Sequence, residues 1–161
     1  IDTLHGLARA LTGQIPAELK YRVYLETLTQ QRDAEDRFIR WTDVRLLRRM
    51  VRDRLQRAKS PRTTLEHWHY VRRSEKKHIL PFLGDADFVI NTAFPYELAF
   101  YRPLTEDFFR EYLAEDPPEG DAAHRACRVQ GLLSSILPVE DLSLIPASSL
   151  LREFLGGDEG V

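Results

Sequence analysis

Between Val44 and Leu55 the apolar residues recur at helical spacing. Val44, Leu47, Val51 and Leu55 form one stripe, and Arg45, Arg49 and Arg52 fall together on a second face. The pattern predicts a helix with one face that packs and another that presents guanidinium groups. Thr42 and Asp43 stand where a cap belongs, so the helix is expected to start near Val44 with Asp43 accepting the orphan amides of the first turn. Arg57 and Lys59 carry the positive charge past its end, and Ser60-Pro61 stops it. The capping-box spacing of Thr63-Thr64-Leu65-Glu66 opens a second helix, expected to run to about Leu80 with Leu65, Trp68, Val71 and Ile79 inward. This second helix carries Arg72, Arg73, Lys76 and Lys77.

Other stretches follow a different period. Residues 20–28 are rich in β-branched and aromatic side chains and read as a strand, and the apolar run Phe88 to Ala93 reads as a buried parallel strand. A short helix and turn precede the first strand around Gly13 and Pro16, residues 29–40 form a polar loop, and residues 84–87 form a turn. Residues 95–115 read as helix in two pieces broken at Pro103, 116–120 as a linker, 121–137 as helix, and 148–155 as a last helix stopped at Gly156-Gly157. Strand, two basic helices, strand, helices: the order predicts an α/β fold with at least one crossover and too few strands for a complete doubly wound sheet. The segments are 1–40, part of a strand-helix-strand core; 41–83, an Arg-rich helical region; 84–116, a closing strand and helices; and 121–161, a C-terminal helical extension.

Composition sharpens this picture through its asymmetry. The chain of 161 residues has a formal net charge of −2. Residues 40–78 hold thirteen Lys plus Arg against four acids, a balance of +9, whereas residues 79–161 hold five against fifteen, a balance of −10. Arginine dominates the basic block, and its planar fork suits phosphate oxygens. Positive field concentrated in the middle third suits a small polyanion in a cleft better than a long duplex. No apolar run approaches the roughly 20 residues of a membrane span, so no membrane partner is expected. The single cysteine, Cys127, suits a reducing cytoplasm and reads as a buried, inert thiol.

With these residues in place, Thr42-Asp43-Val44-Arg45-Leu46-Leu47-Arg48-Arg49-Met50-Val51-Arg52-Asp53 closely resembles the D-x-R-L-x-R-R-x-x-R-D pattern in the lid of uridine kinases, members of the P-loop phosphoribulokinase/uridine kinase group. The resemblance extends to residues 1–7, similar to a strand end of the form E-G-I-x-x-L, and to Tyr24-Leu25-Glu26-Thr27-Leu28-Thr29-Gln30. It continues through residues 71–82, 86–93 and 96–99, and the tail 145–157 is similar to that of bacterial uridine kinase-like nucleoside kinases. It implies the C-terminal part of a P-loop kinase-type parallel sheet with a helical lid, incomplete without upstream residues. No G-x-x-x-x-G-K-[ST] or G-x-G-x-x-G loop occurs in the chain.

The resemblance also implies roles. Arg49 matches the lid arginine that faces the acceptor, and Arg52 and Arg57 match those that close on the ATP phosphates. Lys59 stands where another arginine is usual, and Arg45 joins the nucleotide-binding set. Arg72 and Arg73 match a basic pair that supports acceptor or phosphate binding, and Asp2 stands at the strand-end Glu near the Mg2+ and acceptor site. Asp2, Arg49 and Arg52 are the catalytic candidates; ATP and Mg2+ are the implied cofactors. The implied activity is transfer of the γ-phosphoryl of ATP to a nucleoside-like hydroxyl acceptor in the cytoplasm. The 161 residues alone are expected to be inactive, and self-association is allowed for. The chain departs from the pattern at Asp2 for Glu, Thr3 for Gly, Ala8 for Asn, Ala58 for Gly in the lid turn, and Ser74 for Gly.

Two readings of other classes compete. An inactive regulatory or assembly homologue is favoured by the missing phosphate loop and the Asp2 and Thr3 substitutions. A nucleic-acid module would use the same basic helices, but Trp41, Trp68 and Tyr70 show no stacking-platform pattern. His67, His69 and His78 lack the spacing of a tetrahedral metal site, and the Asp85-x-Asp87 pair reads as turn chemistry. No metal ligand is assigned.

Overall fold

The structure, a computed structural model, describes residues 6–115 and 120–155. Its elements are α1 (Arg9–Thr12), β1 (Val23–Glu26), α2 (Trp41–Arg57), α3 (Pro61–His78), β2 (Phe88–Asn91), α4 (Glu97–Ala114), α5 (Asp121–Ser134) and α6 (Leu151–Leu155), with 3-10 turns at Ala17–Leu19, Leu80–Asp85 and Leu142–Leu144. The chain divides into two compact units, Ile1–Glu26 with His69–Thr92, and Thr27–Trp68 with Ala93–Val161. Among the described residues no helix is long and apolar enough to cross a membrane.

The smaller unit is built on one parallel strand pair, β1 on β2, with Val23 opposite Phe88 and Glu26 opposite Asn91. Mixed helix and parallel strand are therefore present, as the order of patterns implied. The expectation that β2 is buried is corrected: all four of its residues are exposed, Phe88 by 55%. With two strands among the described residues, the pleat has few groups to cover its faces, and Val23, Leu25, Val89 and Ile90 face solvent as well. Asp87 secures the start of the pair, accepting from the Arg22 backbone amide (2.6 Å) and its guanidinium (3.1 Å). Those bonds hold the Asp87 carboxyl below and the Arg22 guanidinium above their usual ranges.

The larger unit is helical. Helix α4 packs on α5, and α2 packs on α4 and α6. Its core takes Val44, Leu47 and Val51 of the expected stripe, together with Leu46 and Met50, then Leu65 and Trp68, Leu98, Tyr101, Phe109 and Tyr112, and Val129 and Leu133. Leu55, near the helix end, stays exposed instead. Helix α2 starts at Trp41 rather than Val44, with Arg40 as an N-cap that makes no side-chain bond. Asp43 does not cap; it is 2% exposed and accepts both Arg128 nitrogens at 2.7 and 2.8 Å. Helix α2 ends at Arg57 with Ala58 as its cap, before the expected stop at Ser60-Pro61, and α3 starts earlier than its capping-box reading because Pro61 has the φ that suits a first helical turn.

Helix α4 runs unbroken through Pro103, against the expectation of two pieces. A proline frees the carbonyl four residues back. Here that carbonyl belongs to Ala99, and the Val139 amide donates to it at 3.0 Å, so the interruption leaves no orphan acceptor. Cys127, expected buried, is exposed. The inward stripe of α5 is Arg125, Ala126, Val129 and Leu133, and Cys127 falls beside it.

The turn between α2 and α3 carries backbone strain. Ala58 caps α2 at φ 50°, ψ 30°, and the Ala58 and Lys59 amides both return to the Asp53 carbonyl, in the manner of a glycine-ended helix. A Cβ in this left-handed conformation costs roughly 1–2 kcal/mol, partly offset by the greater unfolded-state freedom of glycine. Ala58→Gly is therefore expected to stabilise the protein by about 0.5–1 kcal/mol, read as a higher midpoint in chemical denaturation; a lower midpoint would contradict the turn geometry.

Candidate functional site

The candidate site is the arginine-bearing side of α2. Periodicity sets its layout: positions 45, 49 and 52 share a face, and 53 and 57 continue alongside it. The acid that organises this side is Asp53, which sequence reasoning left as a bystander. Its carboxylate is 2% exposed and receives Arg57 at 3.1 Å, the Thr64 hydroxyl at 3.1 Å and, as an ion pair at 3.4 Å, Arg49. Thr64 thus ties the start of α3 to the end of α2 rather than capping its own helix. One carboxylate serves two guanidinium groups, so this cluster retains positive charge.

Arg52 follows a different course. Among the described residues it pairs with Glu153 on α6, at 3.7 Å, and its guanidinium lies 5.8 Å from the Phe154 ring centroid. Its Nε is buried and makes no hydrogen bond among the described residues. Arg45 places its guanidinium 5.7 Å from the Trp41 ring. Lys59 is exposed just past the helix, held there by its backbone amide. The larger unit therefore gathers Arg45, Arg49, Arg52, Arg57 and Lys59 along one helix and its end.

The other expected residues lie elsewhere. Arg72 and Arg73 belong to the smaller unit, where Arg72 pairs with the buried Glu75 and Arg73 is exposed. Asp2 lies outside the described residues. Among the described residues no group of three or more His, Cys, Asp or Glu could hold a metal ion.

The expectation of a basic segment without compensating acids is corrected. Acids from the C-terminal third reach it: Glu97 takes Arg48, Glu115 takes Arg62, and Glu153 faces Arg52. The Arg48–Glu97 pair is the deepest, at 2.6 and 2.9 Å with side chains 7% and 2% exposed, and Glu97 also accepts the Phe94 amide at 3.0 Å. The nearby Tyr101 phenol is pushed up by burial and by the Glu97 charge. Arg48 was legible as an anomaly, a charge one turn from Val44 and Val51 in an apolar stripe, which calls for a buried partner. What survives these pairings at the end of α2, among the described residues, is five cations (Arg49, Arg52, Arg54, Arg57, Lys59) against two acids (Asp53, Glu153), an excess of +3.

An open cavity of about 670 Å3 lies in the same unit, lined by Asp33, Arg37, Arg40, Asp43, His124 and Arg128 among others. Hydrogen bonds to Asp43 raise the Arg128 pKa. None of the expected site residues lines this cavity. Comparisons with protein-family models, with curated proteins and with solved structures each find no match for the chain.

Proposed function

We propose that the chain is the lid-bearing C-terminal part of an ATP-dependent phosphotransferase of the uridine kinase-like type, acting on a nucleoside or similar small hydroxyl acceptor. The observation that carries the reading is the ordered run Thr42 to Asp53, lying in one continuous helix whose exposed side keeps an excess of cations after its buried pairs are accounted for. Two parallel strands flank the basic helices in chain order, which supports a parallel-sheet kinase core. The uncovered apolar faces of β1 and β2 support a sheet that further strands complete.

In this reading Arg52 and Arg57 neutralise the triphosphate and Arg49 faces the acceptor, with Asp53 holding Arg49 and Arg57 in register. Phosphoryl transfer is promoted chiefly by positioning and by charge on the migrating group's oxygens, which guanidinium donors supply. ATP would provide the phosphoryl group, and Mg2+ bound with it would supply further positive charge to the phosphates. A phosphate-cradling loop and the acid that activates the acceptor would come from residues beyond these 161. The single cysteine fits a cytoplasmic setting.

Ligand-linked stabilisation tests the reading. Mg2+-ATP at 100 times its dissociation constant is expected to stabilise the intact protein by about 2.7 kcal/mol, read as a melting shift of several degrees. A shift with oligonucleotides and none with ATP would instead favour a nucleic-acid module, and no shift with either would favour an inactive homologue.

A further inference from the structure

Two acids from the C-terminal third reach the arginines of α2, and they are built differently. Glu97 meets Arg48 at hydrogen-bond distance with both side chains enclosed. Glu153 stands 3.7 Å from Arg52, too far for a hydrogen bond, with its side chain 58% exposed. Arg52 correspondingly keeps a buried Nε that makes no hydrogen bond among the described residues.

The element that carries Glu153 is small. Helix α6 spans Leu151–Leu155 and is anchored by two buried leucines one turn apart, Leu151 and Leu155. Arg152 ties it to the preceding turn through the Leu142 and Ile145 carbonyls, and Gln56 of α2 donates to the Glu153 carbonyl. The Phe154 ring lies 4.9 Å from the Arg48 guanidinium carbon and 5.8 Å from that of Arg52. Among the described residues α6 is the shortest α-helix of the larger unit, and opening five residues costs less than opening a long core helix.

We propose that α6 is an internal strap on the anion-binding side of α2. The Glu153 carboxylate and Phe154 ring occupy Arg52 until a polyphosphate anion displaces them. The inference rests on the phosphotransferase reading of α2. A carboxylate at 3.7 Å contributes little, as exposed ion pairs do. Phosphate oxygens make shorter, charge-assisted bonds to a guanidinium fork and would also take the idle Nε. The strap thus lowers the apparent affinity for the anion by the fraction of molecules in which Arg52 is covered.

The test uses the intact protein and inorganic tripolyphosphate, with dissociation constants from calorimetry and amide exchange followed at residues 151–155. Glu153→Gln is expected to tighten binding about two- to fivefold, and adding Phe154→Ala to tighten it by about two- to fivefold again. In an Arg52→Ala background the Glu153→Gln gain is expected to vanish, which separates competition for Arg52 from a general loosening of the fold. Tripolyphosphate is expected to speed exchange at 151–155 in the wild type. If binding depends on Arg52 while Glu153→Gln changes neither affinity nor exchange, the strap is overturned and the arginine reading stands. Absence of Arg52-dependent binding in both wild type and Glu153→Gln removes the arginine reading, and the strap with it.

Discussion

Glu97→Ala is expected to destabilise the larger unit by about 3–5 kcal/mol, the usual cost of leaving one member of a buried ion pair alone. The Arg48 side chain is 7% exposed, so its charge cannot recover water when the carboxylate is removed. The same substitution strips the Phe94 amide of its acceptor at the start of α4. The Phe94 and Phe154 rings, with centroids 5.9 and 4.9 Å from the guanidinium carbon, compensate only in part. Replacing both members, as in Arg48→Met with Glu97→Met, is expected to cost less than Glu97→Ala alone, since no uncompensated charge stays inside. Urea denaturation of the three proteins checks this; a loss below about 1 kcal/mol for Glu97→Ala would match an exposed pair and refute the enclosed geometry.

The second large effect concerns turnover. Arg52→Ala in the intact protein is expected to lower kcat about 10²–10³-fold, the scale of removing one fixed donor from a developing anion, while denaturation midpoints change little. Its stability cost is small because its partner Glu153 is distant and exposed. Arg49→Ala should behave similarly, since Arg57 and Thr64 remain to satisfy the buried Asp53 carboxylate. Steady-state kinetics with ATP and a panel of nucleosides provides the measurement. Wild-type turnover in both variants would remove the lid assignment.

The two experiments divide the arginines of α2 by the company each keeps. Arg48 is enclosed with Glu97, Arg49 and Arg57 share one enclosed carboxylate, and Arg52 faces the exposed Glu153 at 3.7 Å. No spacing rule separates these roles, because residues 45–57 are all arginine-rich at the same period. The partner decides.

Local rules found the bodies of α2 and α3, the two strands and the terminal helix, but not where α2, α3 and the terminal helix begin or that β2 is exposed. Each depends on neighbours within one or two turns or on a single apolar run, so periodicity and turn residues expose it.

What only the tertiary structure decided is where the charges end. Glu97 lies 49 residues from Arg48, Arg128 lies 85 from Asp43, and Glu153 comes from a helix near the other end of the described chain. Local charge counting registered a block short of acids because Glu97, Glu115 and Glu153 reach its arginines only when α4 and α6 fold against the basic helices. Pro103 gives the same lesson in backbone form: a helix breaker by local rules, it is accommodated because a distant amide reaches the freed carbonyl. The exposure of β2 likewise depends on what packs over the faces of the sheet, a property of the assembled fold and not of the run Phe88 to Ala93. The sequence by itself determined which segments are helix and strand and that arginines line one of them. Folding decided which arginines remain available to an anion, because pairing energies between remote charges exist only once the chain has brought them within a few ångströms.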